Sequence, residues 1–112
     1  FPQISGFRVC IDRARADGSR IVSLQVPVDG GWQEIDAEKD YSVVVSDFLY
    51  HGGDGYRIPQ DRPASRPGSE LKYLVLDAII EAQAQGRLIG VPVDAANPRF
   101  VELGKNRQEC FR

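Results

Sequence analysis

Alternating apolar and polar positions predict two strands early in the chain. Between Gln3 and Ala14 the apolar side chains fall on every second residue, which is the period of a half-buried strand. The members of the two faces are Phe7, Val9 and Ile11 on one and Arg8, Cys10 and Asp12 on the other. The same alternation returns over 22–28, and the short glycine-containing loop between the segments predicts an antiparallel hairpin. Pro27 predicts an edge position there, because proline has no N–H to donate.

Two more strands are predicted before the middle of the chain. Trp32–Ile35 follows the turn Asp29–Gly31 and forms a short strand pattern. Tyr41–Phe48 differs, because Val43–Val45 is continuously apolar rather than alternating. That pattern is typical of a central strand covered on both faces.

One long helix is predicted in the second half. Its apolar positions recur at helical spacing: Leu71, Leu74, Val75, Ala78, Ile79 and Ala82. Ser69 predicts the N-cap and Gly86 the residue after the C-cap, which gives a helix of about 17 residues. Arg99–Leu103 predicts a last strand. We therefore expect an α+β fold, a mostly antiparallel sheet with one long helix packed on it.

Composition narrows the classes of protein and site that fit. The 112 residues suit a single domain, 1–112, and because the chain opens at Phe1 rather than Met we expect it to be a piece of something longer. We expect 104–112 to be a tail after the last strand. Fourteen basic and sixteen acidic residues are interspersed, so we expect no nucleic acid polymer as partner. No apolar run suggests a membrane span. One histidine and two cysteines exclude the usual zinc site, and His51 is expected to be a solvent-exposed loop side chain.

One segment, Ser46–Tyr56, is more specific than a fold requires. Its three glycines within four positions, Gly52, Gly53 and Gly55, allow positive φ and close approach of a ligand to the backbone. Asp54 stands among them, and a carboxylate can accept two hydrogen bonds from a vicinal diol such as that of ribose. Phe48 lies six residues earlier and offers an aromatic face. The alternative is a tight turn beside a core phenylalanine.

Three stretches of the chain resemble the C-terminal domain of the 5'-nucleotidase family. They are Phe1–Val9, Ile35–Val44 and Asp47–Tyr56, and the last contains the most specific string, Phe-Leu-x-x-Gly-Gly-Asp-Gly. The resemblance covers roughly residues 1–103. The family includes UDP-sugar hydrolases, 2',3'-cyclic-nucleotide phosphodiesterases and ecto-5'-nucleotidases, so the resemblance implies a nucleotide or nucleoside ligand.

The resemblance assigns expected roles within the glycine-rich segment. It implies that Phe48 stacks on the nucleobase and that Asp54 contacts the ribose hydroxyls, with the glycines beside them. Tyr56 is expected to shape the pocket or pack under the loop. Asp47 is expected to hydrogen-bond loop backbone more readily than substrate, and it is kept as a possible pocket residue.

The resemblance also implies that this chain contains no catalytic residue, no metal ligand and no cofactor. In the family, two divalent metal ions and the catalytic residues belong to a separate N-terminal metallophosphoesterase domain, which is the expected partner. A second base-stacking aromatic and further substrate-binding Arg and Asn residues lie upstream in the family. We therefore expect this chain to be the second half of a substrate-binding domain.

Location and alternatives complete the expectations. The family implies a periplasmic, cell-surface or secreted protein, in which Cys10 and Cys110 would pair or remain two free thiols. Two other functions stay open: a relative acting on a different phosphate or sulfate-type ester, and a non-catalytic ligand-binding or interaction module that retains the fold. The base and the position of the phosphate are also open.

Overall fold

A computed structural model describes residues 3–65, 68–90, 94, 96–104 and 108–111. The chain divides into two compact units, Phe1–Asp40 with Pro92–Arg112, and Tyr41–Val91. The expected α+β class is confirmed, since the chain forms a four-stranded sheet and one long helix. The assignment of 1–112 to one partial domain stays a prediction, and part of the expected tail, 105–107 and 112, lies outside the described residues.

The first unit is built on a mixed sheet with the strand order β3-β2-β1-β4. Its strands are β1 (Arg8–Ile11), β2 (Ile21–Val28), β3 (Gly31–Glu34) and β4 (Phe100–Glu102). β1 pairs antiparallel with β2, β2 pairs antiparallel with β3, and β4 joins β1 in parallel. The predicted hairpin and last strand are therefore confirmed; β1 and β4 are shorter than the pattern indicated, and β2 begins one residue earlier.

The half-buried alternation predicted for β1 is wrong. All four of its residues are buried. Neighbouring strands pair with both of its edges, and Phe111 and Cys110 contact the side chains of Arg8 and Cys10, the face that was predicted to be polar. The guanidinium of Arg8 lies over the Trp32 ring at 4.8 Å and over the Phe111 ring at 4.3 Å. The electron-rich faces of the two rings attract the guanidinium, and this attraction offsets part of the cost of burying its charge.

Pro27 lies in β2, which is an inner strand of the sheet, but at a point where β2 is paired on one side only. The pairing of β1 with β2 begins at Arg8 and Gln25, so β1 offers no partner to Pro27. On the other side Pro27 faces Trp32 of β3. The missing N–H of proline therefore costs no bond to β1, as the sequence predicted.

Cys10 and Cys110 form a disulfide, so the alternative of two free thiols is wrong. Their Cα atoms lie 5.5 Å apart, and they are separated by 100 residues of sequence. Cys10 is completely buried in β1. The bond fastens the segment that contains Phe111 to the middle of the sheet.

The described residues of the second unit include no central strand, so the strand predicted for Tyr41–Phe48 is wrong. Val43 and Val44 are 72% and 88% exposed, and a four-residue helix, α1 (Asp47–Tyr50), occupies the end of the segment. A covered strand needs neighbours for its backbone N–H and C=O groups. Within the described part of the chain, no strand pairs with 43–45.

The long helix α2 (Leu71–Ala84) begins one residue later than predicted. Glu70, not Ser69, is its N-cap, and the Glu70 carbonyl accepts from the Tyr73 N–H at 2.9 Å. Its carboxylate pairs with Lys72 at 2.6 Å, which favours this start of the helix. In the described ranges no helix is long and apolar enough to cross a membrane.

The predicted glycine stop at the end of α2 is confirmed. Gly86 has φ +61° and follows the C-cap Gln85. Its N–H donates to the Gln83 carbonyl at 3.0 Å, and the Arg87 N–H donates to the Ala82 carbonyl at 2.8 Å. These two bonds form a Schellman motif, which satisfies carbonyls left without partners at a helix end.

Candidate functional site

The candidate site begins with helix α1, which is closed by local capping bonds. The Ser46 Oγ accepts from the Leu49 N–H at 3.3 Å, and the Asp47 Oδ1 accepts from the Phe48 N–H at 2.8 Å. Both acceptors satisfy N–H groups of the first turn, and the negative charge of Asp47 suits that end of a helix. Phe48 is therefore presented by a short capped helix rather than by the end of a strand.

The glycine-rich segment continues as a compact turn. Gly52 has φ +91° and leads into a single 3₁₀ turn at Gly53–Gly55. The Gly55 N–H donates to the Gly52 carbonyl at 3.2 Å, and the Tyr56 N–H donates to the Gly53 carbonyl at 3.1 Å. Gly52 and Gly55 both have positive φ, a conformation that glycine adopts without a steric penalty.

Gly53 serves a different purpose, because it gives room to the ring of Phe48. A Cβ built on Gly53 would lie within 2.6 Å of three carbons of that ring. The aromatic ring therefore packs directly against the backbone that precedes Asp54. Phe48 nevertheless remains 59% exposed, so much of its surface is open to solvent.

Asp54 is the one non-glycine residue with positive φ among the described residues, at +54°. Asp tolerates this region better than most side chains, but the conformation still carries a cost. The residue is exposed, and within the described part of the chain no hydrogen bond or ion pair involves its carboxylate. Both carboxylate oxygens are therefore available as hydrogen-bond acceptors.

The other residues predicted for this segment have more local contacts. The Asp47 carboxylate is engaged with backbone, as described above, and Tyr56 is 39% exposed beside the turn. Their assignment as pocket residues stays a prediction. His51 is exposed, as expected, and its Nδ1 lies 2.8 Å from the Asp47 carbonyl oxygen.

Gln60 is a contributor that the sequence did not reveal. Its Nε2 lies 3.0 Å from the carbonyl oxygens of both Tyr50 and Ile58 and donates to them. A glutamine in a proline-containing loop gives no pattern that distinguishes it from an ordinary surface residue. Only the folded chain shows that it ties α1 to the segment after the 3₁₀ turn.

A polar cluster in the first unit is satisfied internally and is not a candidate site. The Arg8 Nε donates to the Gln25 Oε1 at 2.8 Å, and the Glu34 carboxylate accepts from Ser23, Gln25 and the Leu24 N–H. Desolvation opposes the charged form of Glu34. These hydrogen bonds and the charge of Arg8 outweigh it, so the pKa of Glu34 lies below its ordinary value.

Replacing Gly53 with alanine is expected to displace the Phe48 ring. Gly53 does not have positive φ, so alanine strains the chain only through its overlap with the ring. In an NMR spectrum, contacts between the Phe48 ring protons and residue 53 should disappear, together with the ring-current shifts at 52–55. Gly31→Ala is the control, because no atom lies within 4 Å of a Cβ at that position. Unchanged ring-current shifts in Gly53→Ala would contradict the close packing.

Comparison with known proteins gives the following matches. A family model described as "5'-nucleotidase, C-terminal domain" matches residues 1–61, which include the whole glycine-rich segment. A "5'-nucleotidase-related protein" of Glossina morsitans morsitans is 34% identical over 72% of this chain and 15% of its own length. A snake venom 5'-nucleotidase of Gloydius brevicauda is 38% identical over 70% of this chain and 14% of its own length. A 5'-nucleotidase of Bos taurus is 27% identical over 71% of this chain and 15% of its own length.

The chain thus spans only about 15% of the length of the curated relatives that it matches. No solved structure matches it. Among the described residues there is also no group of three or more His, Cys, Asp or Glu side chains that would hold a metal ion.

Proposed function

Because the chain belongs to the family of the 5'-nucleotidase C-terminal domain, we propose that it binds the nucleoside end of a nucleotide. Phe48 stacks on the base, and Asp54 accepts hydrogen bonds from the ribose hydroxyls. One observation supports this most strongly: the exposed Phe48 ring packs on Gly53, the residue that immediately precedes Asp54 in the chain.

The chemistry of the two groups suits the two halves of a nucleoside. An aromatic face stacks on any base, and each stacked base contributes about 1–3 kcal/mol. A carboxylate accepts from both hydroxyls of a vicinal diol, which selects a ribose over a sugar lacking one of them. Phe48 therefore supplies affinity and Asp54 supplies selectivity for the sugar.

The glycines and the two neighbouring side chains shape the pocket in this proposal. Gly52 and Gly55 set the turn, and Gly53 lets the aromatic ring approach the backbone. Tyr56 is the residue that follows the 3₁₀ turn. Asp47 acts through the backbone of α1, since its carboxylate accepts from the Phe48 N–H.

Bond cleavage belongs, in this proposal, to a separate N-terminal metallophosphoesterase domain of a longer parent enzyme. The two divalent metal ions belong to that domain in this proposal, since the described residues of this chain include no group of three or more His, Cys, Asp or Glu side chains that could hold a metal ion. This chain holds a non-reacting part of the substrate. Such remote binding contributes to catalysis by fixing the position of the reacting group.

We place the protein outside the cytoplasm, in the periplasm, at the cell surface or in a secretion. The Cys10–Cys110 disulfide supports this location, because structural disulfides persist in oxidising compartments. Snake venom 5'-nucleotidases among the relatives agree with it.

Asp54→Asn is expected to reduce the preference for ribose while leaving the fold intact. Asparagine tolerates the positive φ of this position, so the change removes the charge without adding backbone strain. We expect the wild-type chain to bind adenosine about fivefold more tightly than 2'-deoxyadenosine, and Asp54→Asn to bind the two about equally. NMR titrations with each nucleoside measure this ratio.

Asp61→Asn is the matched control for that experiment. Asp61 is an exposed carboxylate seven residues further along, and its replacement removes the same charge. It should leave the selectivity for ribose unchanged. Equal binding of the two nucleosides by the wild-type chain would contradict the role of Asp54, and no binding of either would favour a module that keeps the fold without this ligand.

A further inference from the structure

The side chain of Gln60 joins two points of the backbone that flank the glycine-rich turn. Its single Nε2 atom lies 3.0 Å from the Tyr50 carbonyl oxygen and 3.0 Å from the Ile58 carbonyl oxygen. An amide NH₂ group has two N–H donors, so it can serve both acceptors at once. Gln60 thereby closes a loop that begins at the last residue of α1 and contains the 3₁₀ turn.

The Tyr50 carbonyl has a particular need for this donor. It belongs to the end of α1, where carbonyl groups have no partner within the helix. Two of the preceding carbonyls have backbone donors, since the His51 N–H donates to the Asp47 carbonyl and the Gly52 N–H to the Leu49 carbonyl. Gln60 serves the Tyr50 carbonyl from outside the helix.

We propose that Gln60 is a positioning residue for nucleoside binding, an inference that rests on the proposed function. It touches no ligand. It holds the end of α1 at a fixed distance from the chain after the turn, and so fixes Phe48 on α1 relative to Asp54 in the turn. A binding site gains affinity when its groups are held in place before the ligand arrives.

The chemistry of the side chain makes the inference specific. Glutamate has the same shape as glutamine but no donor at neutral pH, and it would place a carboxylate against two carbonyl oxygens. Lysine restores a donor of similar reach. Gln60 is exposed, so water competes for its partners, and the expected effect is modest: about three- to tenfold in local protection and in affinity.

The test uses the 112-residue chain with Gln60→Glu and Gln60→Lys. Hydrogen exchange at the amides of Gly52, Gly55 and Tyr56 reports the loop without any ligand, and titration with adenosine reports binding. Gln60→Glu should speed exchange and weaken adenosine binding by about three- to tenfold, and Gln60→Lys should restore both. Near pH 4 the carboxyl group introduced by Gln60→Glu is about half protonated and regains an O–H donor. The difference in amide protection between this variant and the wild type should therefore be smaller at that pH.

Gln33→Glu is the matched control, since Gln33 is an exposed residue of β3 in the other unit. It should change neither measurement. If the wild-type chain binds adenosine and Gln60→Glu leaves exchange and binding unchanged, the inference is overturned and the proposed function stands. The opposite result is also distinguishable. If the wild-type chain binds no adenosine, but Gln60→Glu speeds hydrogen exchange and Gln60→Lys restores it, then Gln60 positions the loop and the proposed function fails.

Discussion

Removal of the Cys10–Cys110 disulfide is expected to lower the free energy of unfolding by about 4–5 kcal/mol. The cross-link spans 100 residues, nearly the whole chain, so it removes a large amount of conformational freedom from the unfolded state. Small domains have only about 5–15 kcal/mol of stability in total. The loss is therefore a large fraction of what holds the protein folded.

The sheet should also lose a local contact when the bond is absent. Cys110 precedes Phe111, whose ring lies 4.3 Å from the Arg8 guanidinium, and the Trp32 ring lies 4.8 Å from the same guanidinium. Trp32 is the one tryptophan of the chain, so its fluorescence reports this stack. We expect the fluorescence of Trp32 to change on reduction before the chain unfolds.

Urea unfolding with and without a reductant measures the effect. The wild-type midpoint should fall sharply on reduction, and a Cys10→Ala/Cys110→Ala double variant should unfold early under both conditions. Cys110→Ser is the milder control, because it breaks the bond without removing volume at the buried Cys10 position. An unchanged wild-type midpoint, after mass spectrometry has shown full reduction, would contradict the stabilising role.

Phe48→Ala is expected to weaken nucleoside binding by about five- to a hundredfold and to change stability little. The loss corresponds to about 1–3 kcal/mol for one stacked base. Stability is spared because the ring is already 59% exposed in the folded chain. In the longer parent enzyme that we propose, the same change should appear as an increase in KM.

The controls for Phe48→Ala separate stacking from simple contact. Phe48→Tyr keeps the aromatic face and should bind nearly as well as the wild type. Phe48→Leu keeps apolar contact without the face and should lie between the two. Titration with adenosine, followed at the amides of 53–56, ranks the variants. Equal affinity of Phe48→Ala and the wild type would contradict stacking on Phe48.

The sequence predicts well wherever local chemistry decides the structure. The alternating pattern and the turn glycines correctly predicted the hairpin of the sheet. Gly86 correctly predicted the end of α2, because the Schellman hydrogen bonds need a residue with positive φ there. It predicts poorly where tertiary context decides. Val43–Val45 has the composition of a buried strand, but no described strand pairs with it.

For the candidate site, the sequence predicted which residues to consider but not the contacts that hold them in place. The glycine cluster and Asp54 are visible as a sequence pattern. The pattern does not show that a side chain at position 53 would overlap the Phe48 ring. The disulfide likewise depends on a separation of 5.5 Å between Cα atoms, which sequence spacing does not encode. Gln60 acts through two backbone carbonyls, which every residue has, so no motif marks it.

Titration of the isotope-labelled chain with adenosine and AMP tests the central claim most directly. Binding energy of about 2–3 kcal/mol from this loop implies a dissociation constant above about 1 mM, which NMR can follow. We predict saturable shifts confined to the amides of 48–56, with contacts between the adenine protons and the Phe48 ring. Absence of shifts at tens of millimolar ligand, or shifts centred instead on Arg8 and Trp32, would contradict nucleoside binding at this loop.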